Sequence, residues 1–463
     1  MNREAMQMAK KIILDLGQIS VSKTREELIK SGQQKFQAVS VEKLTAYQEV
    51  KRDAVKIIEA VETGLIPELL PLRRERMLQN TFSFYRGTAG LMDFDLANQV
   101  HTGIPVLICG DAHLGNYGFY ASPERQLLFD LNDFDEARID NWENDLRRLL
   151  VSVYLAGNEN GFKNKKLSKL LKKVSAAYRA AITYSGSLKL MDRFYLSPKV
   201  QLLAKIVREQ AGGEFEKPLT SVIEKATKND LNKVLRKFTT LNADGHRVFI
   251  EAAPRSVRVS EKKMEQFKAA FSEYRATVPE SVRVLLLQYQ ITDVIRHSVG
   301  VGSFGTRCYL LLLTANDGSH LVLQVKEALP TRDSFIPLEL DLDLHREIGE
   351  GNRIIKAQKI MQAASDPFLG SLSSGQRSYY VRQFRDMKGS FNLEKMDWSG
   401  YKLYAEVCGL LLAFSHFHSP TAPMLQGYLE ETVDFDKLMA KWAVRYAQQV
   451  EIDYEKYKEH VSH

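Results

Sequence analysis

The sequence predicts an α+β protein of two lobes, a small antiparallel β lobe and a larger helical lobe. Three observations lead there. Two short apolar runs, Val106–Cys109 and Leu127–Leu131, each deliver the chain into acids: Gly110-Asp111 after the first, Asn132-Asp133-Phe134-Asp135-Glu136 after the second. A glycine-spaced stretch, Gly300-x-Gly302-x-x-Gly305, opens into an apolar run to Leu313, a turn at Asn316-Asp317-Gly318 and a second run from Leu321 to Ala328. That is strand, turn, strand. Most of the remaining chain spaces its apolar residues by three and four, as helices do, and its most apolar helix spans Tyr401–His418 before Pro420.

Taken in order, residues 1–60 lack proline, and Met6, Ala9, Ile12, Ile13 and Leu16 make one face of an amphipathic helix. Pro67 and Pro71 punctuate the chain before FSFYRGTAG (residues 82–90). Arg86 in that stretch reads as a salt-bridged arginine holding a neighbouring loop, with phosphate contact as its other reading. Asp93 and Asp95 read as surface or cap residues.

The acid-tipped strands carry the chemistry. Asn116 follows Asp111 by five, and Asp133 with Asp135 follows the next strand. Carboxylates beside an amide are hard oxygen ligands, the set Mg²⁺ takes when phosphate oxygens complete its shell. A further Asp nearby can accept a proton from a hydroxyl nucleophile. The spacing is that of phosphoryl-transfer sites of the kinase type. Asp, Asn and Gly also make ordinary turns, but two such motifs, both after apolar runs, favour a site. Gly110-Asp111-Ala112-His113 also resembles a metallophosphoesterase motif. Its companions are missing, since Gly157-Asn158 and Gly351-Asn352 lack the required His.

A helix over Trp142–Ala156 follows, with Leu146, Leu149, Leu150 and Val153 facing inward. The basic run Lys163–Lys173 has no interleaved aromatics and reads as a solvated helix face, not a nucleic-acid patch. Residues 174–280 read as mostly helical, with one strand at His246–Glu251.

In the glycine-spaced stretch a strand follows, where a dinucleotide fold would place a helix. Gly300, Gly302, Ser303 and Gly305 therefore read as a cradle whose backbone N–H groups meet phosphate oxygens. Lys326, in Gln-Val-Lys-Glu, is similar in place to the kinase lysine of Val-Ala-Ile-Lys, a resemblance that implies a cation over the phosphates. A helix over Leu344–Ala364 follows, and the same kinase resemblance implies Glu347 or Glu350 as the acid paired with Lys326. Ser378–Ser390 reads as a strand breaking into a polar segment, similar in place to the kinase hinge that offers backbone groups to adenine.

At these residues the chain resembles two families. GDAHLGN, NDFDE and DLRRLL are similar to the signature of aminoglycoside-phosphotransferase-like kinases. GDAHLGNYG, FDLNDFDEA, FYRGTAG, GVGSFGTRC and QKIMQAASDPFLG resemble more closely, and over nearly the whole chain, the bacterial family called domain of unknown function 2252. The kinase resemblance implies Asp111 as catalytic base, Asn116 and Asp133 as metal ligands with Asp135 a second metal acid, Asp145 as a brace for the catalytic loop, and Lys326 as the phosphate lysine. Cys109 departs from it, standing where many kinase-like proteins have a His. The kinase parts occur in rotated order, which implies a circularly permuted, two-lobed protein-kinase-like fold. Its expected divisions are N-terminal helices over 1–105, the catalytic stretch with helices over 106–284, the nucleotide-binding β lobe over 285–390, and C-terminal helices over 391–463.

Composition sets the outer bounds. The 463 residues suit two or three domains, and a net charge of +7 admits anionic substrates without proving them. Three scattered cysteines argue against a disulfide framework and for a reducing compartment. No apolar run is long enough for a membrane span and the first residues do not read as a signal peptide, so the expected location is cytoplasmic. The expected function is an ATP- and Mg²⁺-dependent phosphotransferase on an unspecified hydroxyl acceptor, with nucleic acid not expected as a partner. The alternatives are a nucleotide-binding regulator without catalysis, a nucleotidyltransferase, and a basic scaffold.

Overall fold

The computed structural model describes residues 19, 22–195, 223–224, 231–298, 304–331, 349–385 and 388–462. Five principal helices lead: α1 (Arg25–Ala38), α2 (Ala54–Glu62), α3 (Leu70–Met77), α4 (Thr81–Gly87) and α5 (Ala89–Ala97). Strands β1 (Pro105–Ile108), β2 (Tyr117–Ala121), β3 (Leu127–Leu131) and β4 (Arg138–Asn141) follow, then α6 (Glu143–Glu159) and α7 (Asn164–Ser187). Next come β5 (Thr239–Leu241), β6 (Arg247–Phe249), β7 (Ser256–Arg258), α8 (Glu261–Thr277), β8 (Tyr289–His297), β9 (Cys308–Ala315) and β10 (His320–Glu327). The chain closes with α9 (Glu350–Met361), β11 (Gly370–Ser374), β12 (Arg377–Gln383), α10 (Trp398–His416), α11 (Ala422–Glu430) and α12 (Phe435–Ser462). The fold is mixed α+β, and its sheets are antiparallel.

The main sheet has the order β11-β12-β10-β9-β8-β7, so its edge strand is drawn from upstream of residue 285. Strand side chains alternate between faces, and a strand covered on both faces is apolar throughout. This explains the unbroken Tyr309–Leu313 run. Leu311 and Leu313 pack with Phe267, Phe271 and Tyr274 of α8, while Leu310 and Leu312 pack with Val234, Phe249 and Phe384 on the other face. On β10 the same alternation sends Leu321, Leu323 and Val325 to the α8 side. Val322, Gln324 and Lys326 therefore share the opposite face.

The helical body has its own, larger core, with α10 buried nearly all round. In α7 the lysines are exposed while Leu167, Leu170 and Leu171 are buried, so the basic run is a solvated face. Asp93 and Asp95 correct the sequence reading. Helix α5 is enclosed on all sides, and acids there need partners. Arg52 Nη2 lies 2.8 Å from Asp95 Oδ2, Tyr446 donates to the same oxygen at 2.9 Å, and Arg138 Nη2 donates to Asp93 Oδ1 at 3.0 Å. Among the described residues no helix is long and apolar enough to cross a membrane.

Candidate active site

Two loops meet at the junction between sheet and helical body. The first follows β1. Gly110 has φ +76°, and a Cβ there would stand 2.2 Å from the Glu136 carbonyl oxygen, so glycine alone lets the loop approach residues 133–137. Asp145, near the start of α6, accepts from the N–H groups of Cys109 (2.8 Å) and Gly110 (2.9 Å). His416, the last residue of α10, lies 3.2 Å from Asp145 Oδ2 and takes Tyr178 Oη on its other nitrogen at 2.7 Å. Asp145 thus braces the loop, and α10 ends against it from 271 residues away.

Asp111 is fixed by Arg148, whose Nε donates to Oδ1 at 2.8 Å and whose guanidinium lies 3.7 Å from the Tyr85 ring centroid. The arginine that holds this loop is Arg148, and not Arg86, which sequence reasoning put there. Arg148 was missed because it sits among the leucines of an amphipathic helix and carries no motif. His113 accepts from Gly115 N–H through Nδ1 (3.0 Å), which puts its proton on Nε2, 3.7 Å from Asp111 Oδ2. Burial lowers the His113 pKa to about 3, so the ring is neutral. Asn116 donates Nδ2 to the Asp111 carbonyl at 2.6 Å, leaving its amide oxygen as the atom it can offer a cation.

The second loop, after β3, meets Lys326. The lysine is buried, its ammonium pairs with Asp135 Oδ2, and it stands 3.9 Å from Asp133 Oδ1. Burial opposes the charge on Lys326, but Asp133 and Asp135 override it and hold the ammonium well above its ordinary pKa. Burial also raises Asp133, with Asp135 adding to the effect. For Asp135 burial acts upward too, yet the Lys326 contact prevails and its pKa falls. Opposite Lys326 in register lies Tyr380, and opposite Gln324 lies Arg382, which donates to it at 2.8 Å. Arg353 of α9 gathers the loop from behind: it donates to the carbonyls of Ala137 (2.7 Å), Asp135 (2.8 Å) and Leu329 (2.9 Å) and pairs with Glu350 at 2.5 Å. Glu347 lies outside the described residues; the ion pairs of Lys326 are with the two aspartates.

Asp133 Oδ1 and Asp135 Oδ1 are sealed from solvent and have no hydrogen-bond partner among the described residues. Two carboxylate oxygens without a hydrogen bond, one of them 3.9 Å from the Lys326 ammonium, fit a hard divalent cation. Among the described residues no group of three or more His, Cys, Asp or Glu converges as a self-sufficient metal cage. A Mg²⁺ ion would instead draw on Asp133, Asp135, the amide oxygen of Asn116 and outside oxygens.

Of the glycine-rich turn, Gly300, Gly302 and Ser303 lie outside the described residues. Gly305 has φ +109° and its carbonyl accepts from Ile66 N–H at 2.8 Å. Phe304 is buried against Ile66 and Leu69, with the Arg76 guanidinium 4.1 Å from its ring centroid. The turn is therefore fastened at this end to the segment leading into α3.

These features define a class: an α+β protein with a buried lysine–aspartate cluster where an antiparallel sheet meets a helical body. The chain belongs to the bacterial family described as an uncharacterised protein conserved in bacteria, domain of unknown function 2252, whose family model matches residues 65–460. Nothing matches it among curated proteins or among solved structures.

Proposed function

We propose that the protein is an ATP- and Mg²⁺-dependent phosphotransferase acting on a hydroxyl acceptor, built on a circularly permuted kinase-like plan. The observation that carries this reading is the meeting of Lys326 with Asp133 and Asp135 across 191 residues, beside the Asp111–Asn116 loop. In protein kinases a lysine on the third strand of the small lobe, the glycine-rich loop lying between the first two, and an acid at a later strand end serve the same nucleotide. Lys326 stands on the third strand of the run β8–β9–β10.

The nucleotide and its metal supply the phosphoryl group and neutralise its charge. Asp111, held on one oxygen by Arg148, orients the acceptor hydroxyl and takes its proton. Lys326 would give up part of its hold on Asp135 to neutralise phosphate charge, and Asp133 and Asp135 are the carboxylates that would hold the cation. Neutral His113 keeps the Asp111 loop rigid without adding charge. A second reading, nucleotide binding without transfer, draws on the same Arg148 contact, because a carboxylate so paired is a weaker base. Measured transfer to any hydroxyl compound decides between them.

The test of the first reading is thermal. ATP should raise the Tm only when Mg²⁺ is present, because a ligand stabilises by binding the folded state. Folded Asp133→Ala should lose that shift. A shift that survives in this variant removes Asp133 from the site.

A further inference from the structure

A cavity of about 360 Å³ opens beside the Asp111 loop, between α4, the C-terminal end of α6 and residues 390–394. Gly115, one residue before Asn116, forms part of its wall. So does Arg86. Its volume suits a small molecule. Phe82, Phe391 and Tyr404 give it apolar ring surfaces, and Asn80 and Asn160 add amides.

Arg86 is the unusual member. Its Nε is sealed from solvent and has no hydrogen-bond partner among the described residues, and a Cβ on Gly115 would stand 3.4 Å from that nitrogen. Two arginines beside the Asp111 and Asp135 loops are fully engaged: Arg148 by Asp111 and the Tyr85 carbonyl, Arg353 by Glu350 and three carbonyls. Arg86 as a whole is half-buried, and a sealed Nε left without a partner is costly unless something else supplies one. The two glutamates lining the cavity are poorer anchors: Glu159 accepts from Thr81 N–H at 3.0 Å, and Glu394 is exposed.

We infer that this cavity is the acceptor site, and that its occupant is a small hydroxyl compound carrying a carboxylate or phosphate gripped by Arg86. The inference rests on the phosphotransfer reading. In the reaction, the acceptor hydroxyl oxygen bonds the γ-phosphorus of the nucleoside triphosphate. The bond from that phosphorus to the β–γ bridging oxygen breaks, the nucleoside diphosphate leaves with the electron pair, and the hydroxyl proton passes to Asp111. Arg86 stands within electrostatic reach of both Asp111 and Asp133, so an anion on Arg86 is anchored beside the transfer site.

The experiment compares probes sharing one hydroxyl scaffold: glycerate, glycerol 3-phosphate, glycerol and, as a cation, serinol. Each is added at millimolar concentration to the full chain, with and without Mg²⁺ and a non-hydrolysable ATP analogue, and Tm is read. Glycerate or glycerol 3-phosphate should raise Tm by about 2 °C or more, glycerol and serinol should not, and the more effective anion identifies the group. Arg86→Gln should abolish the anion shift and keep the nucleotide–Mg²⁺ shift. Ser390→Trp, at the exposed rim, should block the anions if Arg86→Gln fails to fold. Equal shifts from neutral or cationic probes overturn the inference, as does no shift from either anion. Loss of the nucleotide shift alone in Arg86→Gln also overturns it, placing Arg86 on the nucleotide phosphates. Absence of a nucleotide shift in the parent protein sinks the phosphotransfer reading separately, while the anion arm still decides what the cavity binds.

Discussion

The ammonium of Lys326 pairs with the carboxylate of Asp135 although 191 residues separate them, and Asp133 shares the same cation at 3.9 Å. No local rule of chain geometry brings these residues together. Their meeting links the outcome of folding in one half of the chain to the chemistry of the other.

Removing the cation should unsettle both acids. Breaking a buried ion pair costs about 3–5 kcal/mol. Asp133 and Asp135 keep 39% and 24% side-chain exposure, which screens them, so Lys326→Met should cost about 2 kcal/mol. Urea unfolding measures it. Lys326→Met/Asp135→Asn should recover much of the loss, since it removes the charge left behind. A double variant no better than the single would show that Lys326 acts through packing.

Asp111→Asn keeps the loop's shape and removes the proton acceptor. Phosphoryl transfer should fall by roughly 10²-fold or more, the scale of general-base loss, with the nucleotide–Mg²⁺ Tm shift intact. If binding and rate fall together, Asp111 serves the structure of the loop.

Asp130 on β3 gives a pH dependence of stability. Burial raises its pKa to about 7, against an unfolded value of about 3.9. The folded state holds this proton more tightly, so the stabilisation is full below about pH 4 and is lost as pH rises towards 7. Asp130→Asn should therefore gain more Tm over the parent at pH 8 than at pH 4.5. A gap independent of pH would mean that the carboxyl does not titrate in this window.

Lys388 predicts a proton signal on binding. Burial, with Arg382 close by, lowers its ammonium to about 7, while Asp133 and Asp366 oppose the fall. At pH 7.5 much of it is neutral, and a polyphosphate arriving beside it would restore the charge. Calorimetry of ATP–Mg²⁺ binding in two buffers of different ionisation enthalpy should then show net proton uptake, lost in Lys388→Met. Identical enthalpies in both buffers would remove Lys388 from the neighbourhood of the phosphates.

Much of this arrangement is legible in the sequence because it is written in short-range patterns. The apolar runs ending at Asp111 and Asp133 become β1 and β3, and the run ending in Lys326 becomes β10, with boundaries within a residue or two. Alternation also sets the face that Lys326 takes. What escapes is polar residues embedded in helices. Arg148, Arg353 and His416 occupy positions that look like any charged or terminal helix residue, and only tertiary packing gives them Asp111, the Ala137 carbonyl and Asp145 as partners. Asp93 and Asp95 were misread for the same reason, since burial of a helix on every side is a property of its neighbours.

The Phe304 anchorage and the Lys326 pairing also bear on biosynthesis. Ribosomes add about 5–20 residues per second, so Asp135 is made roughly 10–40 s before the lysine that neutralises it. Through that interval the two aspartates repel with no cation from the sheet, and the bed of Ile66 and Leu69 waits longer still for Phe304. Late, long-range contacts slow folding and leave such surfaces open to misassociation. The N-terminal part of the helical body therefore waits for both the sheet and the later helices α10–α12 before its core is complete.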